Sequence, residues 1–464
     1  MTAPFVLVAG LIAFLQVTIL PGILVSRTLK LQESTVPKIL VIFGTSLMTN
    51  YWVIFLLTSV RLYTPFSLVS LTILEIVLLL YPVRSKIIWM MRYPLVDSYL
   101  GLVSSIQNSA SVSRRWLHDR FMDRDSSLGE GILLALVVGS CVYAAMIFFS
   151  TVGTVFNLND PIVSWNRWAV EWSMNGFPHN TWEYPQLIPV NWSIFYILIG
   201  IPVQYFPKIL MPLFFIGIIL TFLFEGIRQK RWAYLVAIPA TILLMRLLNG
   251  SAIMAMEGYV DTAVAFFATL SLTSIFWSDN NASDNVLAKN LLVGAVSAVG
   301  AAMTKEAGLF IVLLYPILAW IFVVRKNERL RKKLFSFGLL YVGAIIIGAG
   351  PFYLYKELAI SADADASIVP VILNLMYSGG KSVVEVLLDG LWYLVTKTHG
   401  VFLGYVVLLP FAWRYPPFRW IIGIVLIPYT LLWGMFWSYD TRNLSRHADV
   451  GTRCGNWHRA DSLA

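Results

Sequence analysis

The chain has 464 residues, of which 58% are apolar and 13% charged, and its formal net charge is +9. Its mean hydropathy is +0.73, and a soluble domain would carry roughly twice that charged fraction. A soluble enzyme and a singly anchored one are thereby excluded. The positive charge does not point to nucleic acid either, because the cations fall in short loops between apolar runs.

Apolar runs long enough to cross ~30 Å of hydrocarbon as helix recur along almost the whole sequence. In chain order they predict spans near 4–26, 37–60, 66–83, 131–150, 208–226, 232–248, 259–277, 290–304, 308–324, 335–351, 393–413 and 418–437. The first run lacks a basic start and a small-residue cleavage site, so it reads as a span and not as a cleaved signal. The expectation is an all-α, polytopic helical membrane protein with about twelve transmembrane helices, plus interfacial helices in the first large external loop. Cys141 and Cys454 give no disulfide or metal pattern.

Residues 1–83 read as an N-terminal three-span unit. The loop 84–130 follows and holds Arg84, Lys86, Arg92, Arg114, Arg115, Arg120 and Arg124. Further basic turns lie at Arg228, Lys230 and Arg231, at 325–333, and at Arg414 and Arg419. Cytoplasmic loops concentrate lysine and arginine, so all four are assigned to that side. The core is expected over 131–445, with external loops 151–206, 249–258 and 352–392. Segment 151–206 has Arg167 but no lysine, and carries Asp160, Glu171 and Glu183.

Within that segment, 187–206 is apolar enough to span, but a crossing there would put the Arg228–Arg231 turn outside. It is therefore read as an interfacial or re-entrant helix, which Pro189, Pro202, Pro207 and the internal Asn191 also suit. The tail 446–464 loses all hydrophobic character. A frameshift that replaced a last apolar span would account for it.

Segment 159–172 places Trp165, Trp168 and Trp172 on one helical face, suited to lying in the membrane interface. Asp160 before Pro161 is a helix start, so its carboxylate could serve as a cap or as a base at the head of that helix. Other ionisable groups expected on the same side are Arg167, Glu171, His179, Glu183, Glu257, Asp261, Lys305, Glu306, Asp440 and Arg442. Asp261 could be a cap, Lys305 could pair with Glu306 or another acid, and Glu257 and His179 could be solvated loop residues. His179 has no second His or Cys nearby in sequence to complete a metal site.

The runs DPIVSWNRWAVEW, WEYPQLIPVNWS, MEGYVDTAVAFF, AAMTKEAGLF and YDTRNLS occur in that order between about 150 and 445. Together they resemble the GT-C superfamily of polyprenyl-phosphate-dependent glycosyltransferases, nearest its protein O-mannosyltransferase and aminoarabinose transferase branch (family 39-like). The resemblance implies an inverting enzyme that moves a sugar from a polyprenyl-phosphate donor to a lipid, glycan or protein acceptor. It implies an integral protein of the bacterial cytoplasmic membrane with its site facing the periplasm or exterior.

It also implies Asp160 as catalytic base or acceptor-positioning group, Asp261 as a second catalytic acid, and a lysine turn at Thr304, Lys305 and Gly308. Arg442 is the first choice for the donor phosphate, since a planar guanidinium suits phosphate oxygens. Lys305, Arg167, Glu183, Tyr184 and Glu257 complete the expected substrate-binding set. No cofactor is required by this reading, and a divalent metal is left open. Two departures stand out: Asn159 occupies the place of a second acid in many relatives, and Glu183-Tyr184 stands where aminoarabinose transferases have a lysine. The rival class is a transporter or flippase, which would show internal repeats and polar residues at mid-bilayer.

Overall fold

The computed structural model describes residues 3–31, 37–81, 128–178, 181, 184–229, 232–249, 256–276, 283–332 and 334–355, with 388 and 392. Every regular element among them is helical. The basic loop up to 127, the spans predicted at 393–413 and 418–437, and the polar tail lie outside the described residues, as do His179, Glu183, Asp440 and Arg442. The chain divides into two compact units, Met1–Leu243 with Ser251–Tyr353, and Leu244–Gly250 with Leu354–Ala464. In the second, the helical residues Leu388 and Trp392 are exposed.

The first unit begins with α1 (Ala3–Thr18) and α2 (Leu20–Thr28), parted where Pro21 enters the first turn of α2. Proline is tolerated there because its missing N–H would have no helical partner. Next come α3 (Lys38–Ser59) and α4 (Pro65–Leu80). Thr64 caps α4 by accepting from the Ser67 N–H at 3.2 Å. After α5 (Leu128–Thr151), a π-helical turn (Pro161–Asn166) runs into the short α6 (Arg167–Ser173). The chain continues through α7 (Leu187–Ile199), α8 (Tyr205–Gln229), α9 (Trp232–Asn249), α10 (Asp261–Phe276) and α11 (Asp284–Thr304). It closes with α12 (Leu309–Phe322), α13 (Glu328–Lys332), α14 (Leu334–Gly348) and α15 (Gly350–Tyr355).

Five stretches of the described chain are long and apolar enough to cross a membrane: Ala3–Thr28, Lys38–Ser59, Gly131–Thr151, Tyr205–Arg228 and Asp284–Thr304. Helices α4, α7, α10 and α12 are apolar but shorter. Large apolar side chains cover much of the outside, with Phe66 80%, Phe149 72% and Leu313 70% exposed. In water such a girdle would drive aggregation, whereas in lipid it is solvated. The chain is thus compatible with an integral membrane protein.

The interior is close-packed and aromatic. Phe43 of α3 meets Phe214 of α8 at 5.2 Å and Phe266 of α10 at 5.5 Å, which joins three helices. Helix α7 sits inside this bundle, packed on α1, α3, α4, α6, α8 and α11. At 13 residues it is about 20 Å long. Nearly all of it is buried, so of the interfacial or re-entrant positions expected for it, protein encloses it as it would a re-entrant helix and not an interfacial one. Asn191 explains how a polar side chain is kept there: it is fully buried and donates to the Leu47 carbonyl at 2.9 Å and the Leu187 carbonyl at 2.8 Å. Helices α1 to α4 belong to the same compact unit as residues 128–243 and 251–353.

Hydrogen bonds fix which helix ends lie together. Lys289 of α11 donates to the Leu29 carbonyl just past α2 at 2.7 Å, and Asp284 accepts from Asn327 and Arg329. That end also carries Arg27, Lys30, Arg325, Arg331 and Lys332, and is strongly basic. At the opposite end, the Tyr63 hydroxyl between α3 and α4 pairs with Ser193 of α7 at 2.8 Å, and the Tyr63 N–H donates to Asn175 at 3.2 Å. This second end gathers Asp160, Lys208, Glu257, Asp261, Lys305 and Glu306.

Candidate functional site

Two backbone stretches about a hundred residues apart form the floor. Gly258 has φ +89°, and a Cβ there would lie 2.8 Å from Phe156 and 3.1 Å from Pro161. Only glycine lets 257–261 press so closely on 156–161. Beneath this contact, Glu257 and Lys208 form a buried ion pair at 2.8 Å. The other Glu257 oxygen accepts the Asn157 N–H at 3.0 Å, and Lys208 also donates to the Val155 carbonyl. Gln204 accepts the Phe156 N–H at 3.1 Å, and the Phe156 ring stacks on Trp192 at 4.7 Å.

Asp160 stands on this floor at the head of the π-helical turn. Its backbone is helical and its side chain makes no capping bond; among the described residues its carboxylate accepts from the Ser164 hydroxyl at 3.3 Å. The capping role considered for it is not used, and the carboxylate is exposed. Wide turns of this kind recur at functional sites, where they re-aim side chains.

The facing wall is made by α10 and α11, which pack together. Asp261 opens α10, and Lys305 follows α11 directly in extended backbone, φ −157° and ψ 150°. Their side chains meet at 2.8 Å. The pairing of Lys305 is therefore with Asp261, and both groups remain partly exposed. Gly308 makes the reversal into α12 possible. A Cβ on it would fall 2.1 Å from the Ala301 carbonyl carbon and oxygen, so the turn admits no side chain.

Tyr184 closes the remaining side, its ring 5.3 Å from Trp165 and 6.2 Å from Trp168. Burial raises its hydroxyl above the usual tyrosine value; Lys305 opposes the rise, and Glu306, Asp160 and Asp261 add to it. The Tyr259 hydroxyl is raised by burial and then by Asp160, Asp261 and Glu257. Burial disfavours the Lys305 charge, yet Asp261, with Tyr184 and Asp160, outweighs it and holds the ammonium above the usual lysine value. Asp160 and Asp261 therefore lie within electrostatic reach of Tyr184, Tyr259 and Lys305 alike.

The structure thus brings Asp160, Asp261, Lys305 and Tyr184 together, with Tyr259 and Glu306 beside them. Glu257 adjoins the cluster but is not a solvated loop residue: it is buried and committed to Lys208. Arg167 pairs with Glu171 at 2.8 Å on the exposed face of α6, and is not among the groups acting on Tyr184, Tyr259 or Lys305. The three indoles do share a face, but that face turns into the protein. Trp165, Trp168 and Trp172 are nearly fully buried, and the Trp172 N–H finds Gln186 at 3.3 Å. An indole buried with its N–H satisfied gains more from protein packing than from the interface.

Lys208 and Tyr259 escaped the sequence reading. The lysine could have been noticed, since a cation at the edge of an apolar run is costly and needs a partner. Among the described residues no group of three or more His, Cys, Asp or Glu is placed to hold a metal ion. Chemically, the site offers an exposed carboxylate near an ammonium whose charged form is favoured. No family model, curated protein or solved structure matches this chain.

Proposed function

We propose that the chain is a GT-C-like membrane glycosyltransferase of about twelve crossings, which moves a sugar from a polyprenyl-phosphate donor to an acceptor on the non-cytoplasmic face. One observation carries this reading. Asp160, Asp261 and Lys305, contributed by three distant parts of the sequence, converge at one end of an apolar bundle with Asp160 exposed. The sidedness rests on charge: the opposite end gathers Arg27, Lys30, Lys289, Arg325, Arg329, Arg331 and Lys332, and such clusters favour the cytoplasm.

In this mechanism the donor's isoprenoid tail lies along the apolar girdle and its phosphate sits at headgroup depth. Asp160 takes the proton of the acceptor hydroxyl as that oxygen attacks the anomeric carbon. The bond from that carbon to the phosphate oxygen breaks, with inversion, and polyprenyl phosphate leaves. Negative charge grows on the leaving group, and a preorganised cation there lowers the barrier. Lys305 supplies that charge, and Asp261 orients it. Arg442 and Glu183, outside the described residues, are proposed as further donor contacts.

The test is transfer from a panel of radiolabelled polyprenyl-phosphate sugars in membranes. Asp160→Asn is expected to lower turnover by on the order of a hundredfold or more, with donor binding retained. Near-normal turnover in that variant would refute the role of the base. A transporter or flippase reading draws on a different observation, namely that Glu75 of α4, with Gln16 and Asn50, is buried inside the bundle. Under it, Asp160→Asn is silent and Glu75→Gln stops substrate movement in vesicles.

A further inference from the structure

We infer that Lys208 and Glu257 are positioning residues, a two-sided clamp that sets where Asp160 stands relative to Asp261 and Lys305. Four contacts define it. Glu257 and Lys208 bind each other at 2.8 Å, Glu257 accepts the Asn157 N–H at 3.0 Å, and Lys208 donates to the Val155 carbonyl. Gly258 completes it by seating the same turn on Phe156 and Pro161.

The sequence positions are what make this a clamp. Asn157 lies three residues before Asp160, and Glu257 four before Asp261. Lys208 is rooted in the first turn of α8, a helix anchored in the aromatic core through Phe214. The two loops bearing the acids are therefore both tied to one fixed post, through contacts that involve neither Asp160 nor Asp261. The pair is almost solvent-free, its side chains 3% and 8% exposed, so loss of either partner strands a charge away from water.

The signs of the charges are also dictated by the backbone. An N–H of one loop needs an acceptor and a C=O of the same loop needs a donor. A pair that served only to attract α8 to the 257 turn would work equally well reversed. This one would not, because a reversed pair turns a donor on the Asn157 N–H and an acceptor on the Val155 carbonyl.

The consequence for transfer rests on the proposed function, but the clamp is measurable without it. In a background lacking Cys141 and Cys454, spin labels at Ile162→Cys and Ala307→Cys report the spacing of the Asp160 segment and the Lys305 turn, which Asp261 ties to the clamped 257–261 stretch. The unsubstituted clamp is expected to give a narrow distance distribution, and Glu257→Gln and Lys208→Met a broadened one. The exchange Lys208→Glu with Glu257→Lys is expected to stay broad. Transfer, where observed, falls about tenfold to a hundredfold in kcat with donor KM nearly unchanged, as expected for misplacement of a catalytic group.

An unaltered distribution in Glu257→Gln overturns the inference. So does the exchanged pair restoring both the narrow spacing and turnover, which would reduce the pair to simple attraction. Should the unsubstituted protein transfer no sugar, the functional proposal fails, and the distance measurement alone decides the clamp.

Discussion

Lys305 is the residue whose surroundings make the sharpest demand. It sits at the end of an apolar helix, where burial alone would push its proton off, and Asp261 at 2.8 Å reverses that tendency. Because its value in the folded protein lies above that of the unfolded chain, its contribution to stability is complete below the ordinary lysine range. That contribution is lost as pH rises through the raised value. Thermal unfolding in detergent should therefore show an alkaline decline that flattens in Asp261→Asn, where the raising charge is gone. An identical decline in both proteins would mean that the ion pair does not govern the lysine. Asp160 is the contrasting case. It carries the sequence signature of a cap, acid then proline, yet the backbone enters a π-helical turn and the carboxylate is left for other work. Residue type and spacing announced a charged group here, and only the dihedral angles decided what it was free to do.

The helices and turns that bear these groups follow from local rules with a few tertiary exceptions. The turn Lys305–Gly308 shows the exception most clearly. The Gly308 N–H closes on the Lys305 carbonyl at 2.8 Å, and the glycine rests directly on the Ala301 backbone. Gly308→Ala is expected to push α12 away from α11 and to destabilise the protein by about 1–3 kcal/mol. Because Lys305 shares the turn, activity should fall with it. A variant of unchanged melting temperature and turnover would show that the reversal tolerates a side chain. The glycine was visible in the sequence as part of a lysine-containing turn, but its physical reason was not, since the Ala301 backbone reaches it only after the chain reverses. Helix α7 makes the same point. Pro189 and Asn191 marked it as unusual, while its enclosure by six other helices depended on packing that no local pattern encodes.

The first unit has a basic end, an acidic and mixed end, and an apolar girdle between them. If the girdle is the membrane, cysteines placed at Met174 and Ala307 should label from one side, and cysteines at Lys30 and Arg329 from the other. Labelling of Ala307 and Arg329 from a common side would break the proposed orientation and with it the shared site. The helical class, the apolar character and the clustering of cations in particular loops were all legible in the residues, because lipid solvation and helix length act on composition directly. What tertiary structure alone decided was convergence: which acid meets which lysine, that Glu257 is spent on Lys208, and that the indoles face protein. Those outcomes depend on contacts between segments some fifty to a hundred residues apart, such as 208 with 257 and 157 with 257. Hydrophobic periodicity says which face of a helix avoids water, but not which neighbour it finds, and the site is built from the neighbours.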